Sequence, residues 1–89
     1  MLERELTVTN RLGLHARATA RLVQLLAPFR CTVTVQAKGR EVNAKSIMGV
    51  MLLAAGQGTA VTVRTDGEDE AAAMAAVVDL FERRFDEDA

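Results

Sequence analysis

The chain has few of the side chains on which redox, metal and nucleic-acid chemistry depend. Its 89 residues include one cysteine, one histidine and one proline, and neither tryptophan nor tyrosine. A single cysteine excludes an intramolecular disulfide and favours a reducing compartment. One histidine and one cysteine are too few for a dedicated transition-metal site, so we expect no metal and no cofactor. Nor is there the mixture of aromatic and basic residues on which RNA bases stack.

Long apolar runs are also missing. No stretch approaches the length of a membrane span, and the N-terminal residues 1–5 lack the apolar run of a signal peptide. The net charge of −1 does not mark the surface for nucleic acid or for an anionic membrane. The length suits one domain over residues 1–89 with a single modest core. The composition therefore predicts a soluble, cytoplasmic domain that binds neither nucleic acid nor membrane.

Hydrophobic periodicity predicts a mixed fold. Residues 2–9, 31–37, 40–43 and 59–65 alternate between apolar and polar, which is typical of half-buried strands. Helical spacing is present over 16–27 and 46–53, and in the stripe Met74, Val77, Leu80 and Phe81 after Glu68-Asp69-Glu70. Pro28 is expected to end the first helix and Gly56 the second, and the acidic tail over 86–88 is expected to fray. The order β-α-β-β-α-β-α predicts an α/β two-layer open-faced sandwich, with helices on one face of one sheet.

The single histidine lies in Gly13-Leu14-His15-Ala16-Arg17, directly before the first predicted helix. The first N–H groups of a helix have no intrahelical partner and carry the positive end of the dipole, so they bind phosphate readily. A neutral imidazole there can attack phosphorus and hold the phosphoryl group, while the Arg17 guanidinium matches phosphate oxygens. A surface histidine at a helix cap and a solvated arginine fit the same residues, and the local sequence leaves both interpretations open.

Ser46 precedes the second predicted helix. Its default role is to cap that helix. It is also a candidate phosphorylation site, since the negative charge of phosphate is tolerated at a helix N-terminus.

The helix after Ser46 is apolar on nearly every face. We expect Val50 and Leu53 to pack inward, and Ile47, Met48 and Met51 to form an exposed patch that binds a partner. The alternative is that all of these side chains belong to the core.

Two motifs, taken together, resemble one protein family. They are Gly13-Leu14-His15-Ala16-Arg17 and Lys45-Ser46-Ile47-Met48-Gly49-Val50-Met51, followed at matching distances by Gly58-Thr59 and Gly67-Glu68-Asp69-Glu70. The family is HPr, the histidine-containing phosphocarriers of the bacterial phosphoenolpyruvate-dependent phosphotransferase system. The resemblance covers essentially the whole chain. It implies a four-stranded antiparallel sheet with three helices on one side.

The resemblance also implies roles for single residues. His15 would accept a phosphoryl group on Nδ1 from phospho-enzyme I and pass it to an enzyme IIA domain, with Arg17 steadying the group. Ser46 would be phosphorylated by an ATP-dependent HPr kinase/phosphorylase. Arg21 and Lys45 would flank the apolar patch beside Arg17 and suit the acidic surface of enzyme I. The chain would then be a monomeric phosphotransfer intermediate and not an independent catalyst.

One position departs from the family pattern. Proline usually follows the active-site arginine, and here that residue is Ala18. Alanine removes a constraint on the first helical turn and adds an N–H donor, so we expect an active carrier with an altered transfer rate. The alternative function is a regulatory protein-binding module that acts mainly through the state of Ser46, without sugar transport.

Overall fold

Four strands form one antiparallel sheet in this computed structural model, which describes residues 1–87. They are β1 (Leu2–Thr7), β2 (Thr32–Ala37), β3 (Arg40–Asn43) and β4 (Ala60–Asp66). Their spatial order is β1-β4-β2-β3, so that β4 pairs with both β1 and β2. The tight turn between β2 and β3 is made by Lys38 and Gly39, both with positive φ.

Three helices pack on the apolar face of this sheet. They are α1 (Ala16–Leu26), α2 (Ile47–Leu52) and α3 (Glu70–Glu82). Alternation along the two central strands buries one face almost completely, at Val33, Val35, Val61 and Val63. The predicted element order and the open-faced α/β sandwich are confirmed. Within residues 1–87, no helix is both long enough and apolar enough to cross a bilayer.

The chain after α3 differs from the prediction. Arg84, Phe85 and Asp86 form one left-handed turn with φ of 53°, 56° and 62°. The Phe85 side chain is fully buried, and its ring centroid lies 4.8 Å from that of Phe81. The expected fraying is therefore wrong for Asp86 and Glu87, because burial of Phe85 fixes the segment to the core; Asp88 lies outside the described residues.

The end of α2 also differs. Ala54, with φ of 48°, takes the left-handed position after the helix, and Gly56 does not adopt positive φ. The predicted glycine stop is therefore wrong. Other boundaries shift by one or two residues: β1 ends at Thr7, α1 at Leu26, and β4 begins at Ala60.

Candidate functional site

His15 is the N-cap residue of α1. Its backbone is extended, with φ of −78° and ψ of −176°, and its Nδ1 accepts a long hydrogen bond of 3.4 Å from the backbone N–H of Arg17. The first complete turn closes through the N–H of Thr19, which donates to the carbonyl oxygen of His15. Within residues 1–87 the N–H groups of Ala16 and Ala18 donate to no acceptor. The start of α1 therefore presents open donors beside Nδ1.

The turn that leads into His15 is fixed by the chain that follows α2. Leu14 is buried, and its N–H donates to the carbonyl oxygen of Ala55 at 2.8 Å. Gly13 has φ of +72°, and a Cβ there would lie 2.6 Å from that same oxygen and 2.7 Å from the Cα of Gly56. Only glycine fits this position, so its lack of a side chain sets where His15 begins the helix.

The other edge of the imidazole is occupied by Glu87. Its Oε2 lies 2.7 Å from His15 Nε2, and its Oε1 accepts a 3.0 Å hydrogen bond from Asn10 Nδ2. Asn10 is fully buried, and the same amide nitrogen donates to the carbonyl oxygen of Gly13 at 2.8 Å. Burial raises the pKa of Glu87, but hydrogen bonds from Asn10 and His15, with the charge of Arg21, bring that pKa below its ordinary value.

These partners assign the imidazole proton. A backbone N–H can only donate, and an ionised carboxylate can only accept. The neutral ring therefore carries its hydrogen on Nε2, facing Glu87, and its lone pair on Nδ1, facing the start of α1. Of the two ring nitrogens, Nδ1 is the one available to attack an electrophile.

Two arginines on the same helix are used differently. The Arg17 side chain is exposed, and within residues 1–87 its guanidinium makes neither a hydrogen bond nor an ion pair. Arg21, one turn further along α1, is half-buried and donates to the carbonyl oxygen of Phe85. Arg17 is thus available to an anion at His15, whereas Arg21 holds the C-terminal segment.

Ser46 is the N-cap of α2, as expected. Its backbone is extended, and its Oγ accepts a 3.1 Å hydrogen bond from the N–H of Gly49. A Cβ on Gly49 would lie 3.3 Å from that Oγ, so glycine keeps the space beside the hydroxyl open. The neighbouring Lys45 donates from Nζ to the carbonyl oxygen of Phe29 at 2.5 Å, so its ammonium is engaged within the chain.

An exposed apolar surface, here called the α2 patch, lies along that helix. It consists of Ile47, Met48, Met51 and Leu52, which are 45%, 76%, 43% and 61% exposed. Val50 and Leu53 are buried, so the predicted division of the helix is confirmed. Leu52 was not among the residues expected in the patch.

Sequence reasoning missed two residues of the site, Asn10 and Glu87. Asn10 has a weak local signal, because it lies in the turn between β1 and α1, where asparagine commonly bonds to nearby backbone. Glu87 has none, because it lies 72 residues from His15 in an acidic stretch that resembles a solvated tail.

As for metals, no group of three or more His, Cys, Asp or Glu side chains that could hold an ion occurs within residues 1–87.

A histidine at a helix start, with an exposed arginine two residues later, is the arrangement expected of a small phosphoryl-carrier domain. A family model described as the PTS HPr component phosphorylation site matches residues 2–83. The phosphocarrier protein HPr of Xylella fastidiosa (strain Temecula1) is 69% identical over 99% of both chains. The chain belongs to the HPr family of the bacterial phosphotransferase system.

Solved structures agree with this assignment. The crystal structure of HPr-C-His from Thermoanaerobacter tengcongensis superposes with a TM-score of 0.96 at 42% identity, covering 100% of both chains. A second crystal structure, of an HPr dimer from the same organism, gives a TM-score of 0.78 at 42% identity. The match covers 98% of this chain and 100% of the chain in that structure.

Proposed function

We propose that this chain carries phosphoryl groups on Nδ1 of His15, receiving them from phospho-enzyme I and passing them to an enzyme IIA domain. The observation that carries the proposal is the orientation of the imidazole. Its Nε2–H is bound to Glu87, and its Nδ1 accepts from the N–H of Arg17 in the first turn of α1, where the N–H groups of Ala16 and Ala18 have no acceptor within residues 1–87.

The transfer follows from this geometry. The Nδ1 lone pair forms a bond to phosphorus, the bond from phosphorus to the donor breaks, and its electron pair leaves with the donor. The ring keeps its proton on Nε2 throughout. The phosphoryl oxygens gain hydrogen bonds from the helix start and charge from the Arg17 guanidinium, both of which favour the transferred dianion. His15 then returns the group to a second acceptor, so the chain is an intermediate and not an independent catalyst.

Incubation with phosphoenolpyruvate and a cognate enzyme I, followed by mass spectrometry before and after mild acid, tests the proposal. We expect the gain of one phosphate that acid removes, because phosphohistidine is acid-labile. The gain should be absent in His15→Ala. A folded wild-type protein that takes up no acid-labile phosphate would contradict a carrier role.

Arg17 supplies a second test of the same site. Removing one preorganised hydrogen-bond donor to a developing transition-state charge typically costs about 10²–10³-fold in rate. Because the Arg17 side chain is exposed, we expect a smaller loss of roughly 10–100-fold in the rate constant for phosphorylation of Arg17→Ala. Arg17→Lys should recover part of that rate, since lysine keeps the charge without the planar fork. Equal rates for wild type and both variants would exclude a role for Arg17.

We further propose that an HPr kinase/phosphorylase phosphorylates Ser46 with ATP. Ser46 is half-buried at the start of α2, Gly49 leaves space beside its hydroxyl, and the α2 patch follows directly. A phosphate there adds about −1.5 to −2 of charge at the rim of that patch. The expected modification is acid-stable and absent in Ser46→Ala.

The α2 patch is our proposed docking surface for enzyme I, the enzyme IIA domain and the kinase. Its methionines adapt to different partners. Arg21 and Lys45, which the family resemblance implies would flank the patch, each already donate to a backbone carbonyl. We propose that they still contribute positive charge, since both are half-buried and carry it at the surface. We also propose that the carrier is one domain over residues 1–89, monomeric and cytoplasmic, and light scattering tests the oligomeric state.

The size and exposure of the α2 patch also support a second candidate function. In it the chain is a regulatory module whose patch docks a partner according to the state of Ser46, without sugar transport. Such a module needs no phosphate on His15. Acid-stable phosphate on Ser46 without acid-labile phosphate on His15 would favour this alternative.

A further inference from the structure

The segment after α3 carries a carboxylate to His15 in a strained but anchored conformation. Three consecutive residues, Arg84 to Asp86, have φ between 53° and 62°. Residues other than glycine adopt the left-handed region only at a cost in free energy. Such backbone strain persists where the surrounding contacts impose it. Here those contacts are the buried Phe85 ring and the hydrogen bond from Arg21 to the Phe85 carbonyl. The turn delivers Glu87 to Nε2 of His15.

We propose that Glu87 is a positioning residue that decides which nitrogen of His15 takes the phosphoryl group. The inference rests on the proposed function and names a residue of that site. The Glu87 carboxylate accepts a hydrogen bond from Nε2–H of His15. Because Nε2 carries the proton, it has no lone pair to offer, and Nδ1 is the reactive atom.

Glu87 is itself held in place. Its side chain is only 12% exposed, and its second oxygen is bound by Asn10, whose own amide is fixed on the carbonyl oxygen of Gly13. The three side chains form a chain of contacts from Asn10 through Glu87 to His15. A base oriented by a third group recurs among activated nucleophiles. The carboxylate also stabilises the positive charge that develops on the ring as the Nδ1–P bond forms.

Chemical phosphorylation with phosphoramidate tests the assignment without any partner protein. Nδ1 bonds to phosphorus, the P–N bond of the reagent breaks, and ammonia leaves. One-bond ³¹P–¹⁵N coupling in ¹⁵N-labelled protein identifies the phosphorylated nitrogen. We expect Nδ1-phosphohistidine alone in the wild type, and Nε2-phosphohistidine as a substantial product in Glu87→Ala.

Two further variants separate positioning from a structural role. Glu87→Gln keeps an oxygen that accepts from Nε2–H but loses the charge, so the product should remain on Nδ1 and form several-fold more slowly. Asp86→Asn is the matched control. It neutralises the adjacent carboxylate, which pairs with Arg83 at 2.6 Å and not with His15, so nitrogen choice and rate should match the wild type. Urea unfolding confirms that each variant is folded.

Three outcomes overturn the inference. They are Nε2 modification in the wild type, exclusive Nδ1 modification in folded Glu87→Ala, and a wild-type His15 that does not react at all. The proposed function fails separately. A wild type that reacts on Nδ1 with phosphoramidate but accepts nothing from phospho-enzyme I would retain Glu87 as the positioning residue and lose the carrier role.

Discussion

His15 and Ser46 hold the same structural position, the N-cap of α1 and of α2, yet their surroundings differ. Ser46 is bound by a residue three positions away, through the 3.1 Å hydrogen bond from Gly49. His15 makes a longer contact of 3.4 Å to Arg17 and a short one of 2.7 Å to Glu87, 72 residues away. The capping hydrogen bond of each residue is local, but His15 also makes a contact that only the tertiary fold provides.

The difference follows from what each side chain does. A serine hydroxyl that caps a helix needs only the helix it caps. A histidine that carries phosphoryl groups, as we propose for His15, must keep its proton on one ring nitrogen and its lone pair on the other, and an acceptor beside the protonated nitrogen fixes that choice. Glu87, a long-range contact of His15, is that acceptor. The variants below separate local from tertiary support, beginning with the largest expected effect.

Gly13→Ala should cause the greatest loss of stability, because it disturbs the turn that leads into His15. Gly39 has nearly the same φ, +76°, but a Cβ there would meet nothing within 4 Å. The free energy of unfolding of Gly39→Ala should therefore fall only by the conformational cost of a positive φ, about 1–2 kcal/mol. Gly13→Ala adds a clash with the backbone at Ala55 and Gly56, so its loss should be larger by about 1–3 kcal/mol.

Urea unfolding of the two glycine variants measures this difference directly. Since both positions have positive φ, subtracting one loss from the other leaves the steric cost of a Cβ at Gly13 against the backbone of Ala55 and Gly56. Equal losses would show that the chain after α2 does not restrict the turn before His15.

Ser46 variants separate capping from docking. Ser46→Ala removes the acceptor for the Gly49 N–H and should cost about 1 kcal/mol in the free energy of unfolding. Ser46→Asp keeps a good N-cap and should change that free energy little. It should nevertheless lower the rate of His15 phosphorylation by roughly tenfold at subsaturating enzyme I, the equivalent of 1.4 kcal/mol of docking energy. An unchanged rate of His15 phosphorylation in Ser46→Asp would contradict the proposed regulation.

Local signals were sufficient for the strands, α1, α2 and the Ser46 cap. The alternation of Val33 and Val35, or of Val61 and Val63, predicts which face is buried because side chains alternate across a strand. Likewise, a polar residue before an apolar helix predicts the cap. In each case the cause lies within a few residues of the effect, so the sequence contains it.

Features that depend on distant contacts were missed. Asp69 lies at the start of α3, and its carboxylate accepts from the N–H groups of Arg30 and Cys31, a contact that no local pattern indicates. The hydrogen bond from Arg30 is the main reason that the pKa of Asp69 is lowered. Glu87 is the same kind of case. No periodicity or spacing indicates which distant backbone or side chain a carboxylate will meet.

The pH dependence of stability should show the tertiary support of His15 directly. The pKa of Glu87 is below its ordinary value in the folded protein. Its ionised carboxylate therefore stabilises the fold above the unfolded pKa of about 4.3, and this contribution is lost as pH falls through the folded pKa. The difference in unfolding free energy between wild type and Glu87→Gln should be largest near neutral pH and shrink below about pH 4. A difference that stays constant from neutral to acidic pH would contradict the assigned pKa shift.

Ala18→Pro should have the smallest effect on stability and is the sharpest probe of the open helix start. Within residues 1–87 the N–H of Ala18 donates to no acceptor, so proline there removes no hydrogen bond. By restricting the unfolded chain, it should change the free energy of unfolding by less than about 1 kcal/mol. If the Ala18 N–H binds the phosphoryl group, however, the rate of His15 phosphorylation should fall while stability is kept. Unchanged stability with an unchanged rate would show that the donors of Ala16 and Arg17 suffice, and that alanine in place of the family's proline is neutral for transfer.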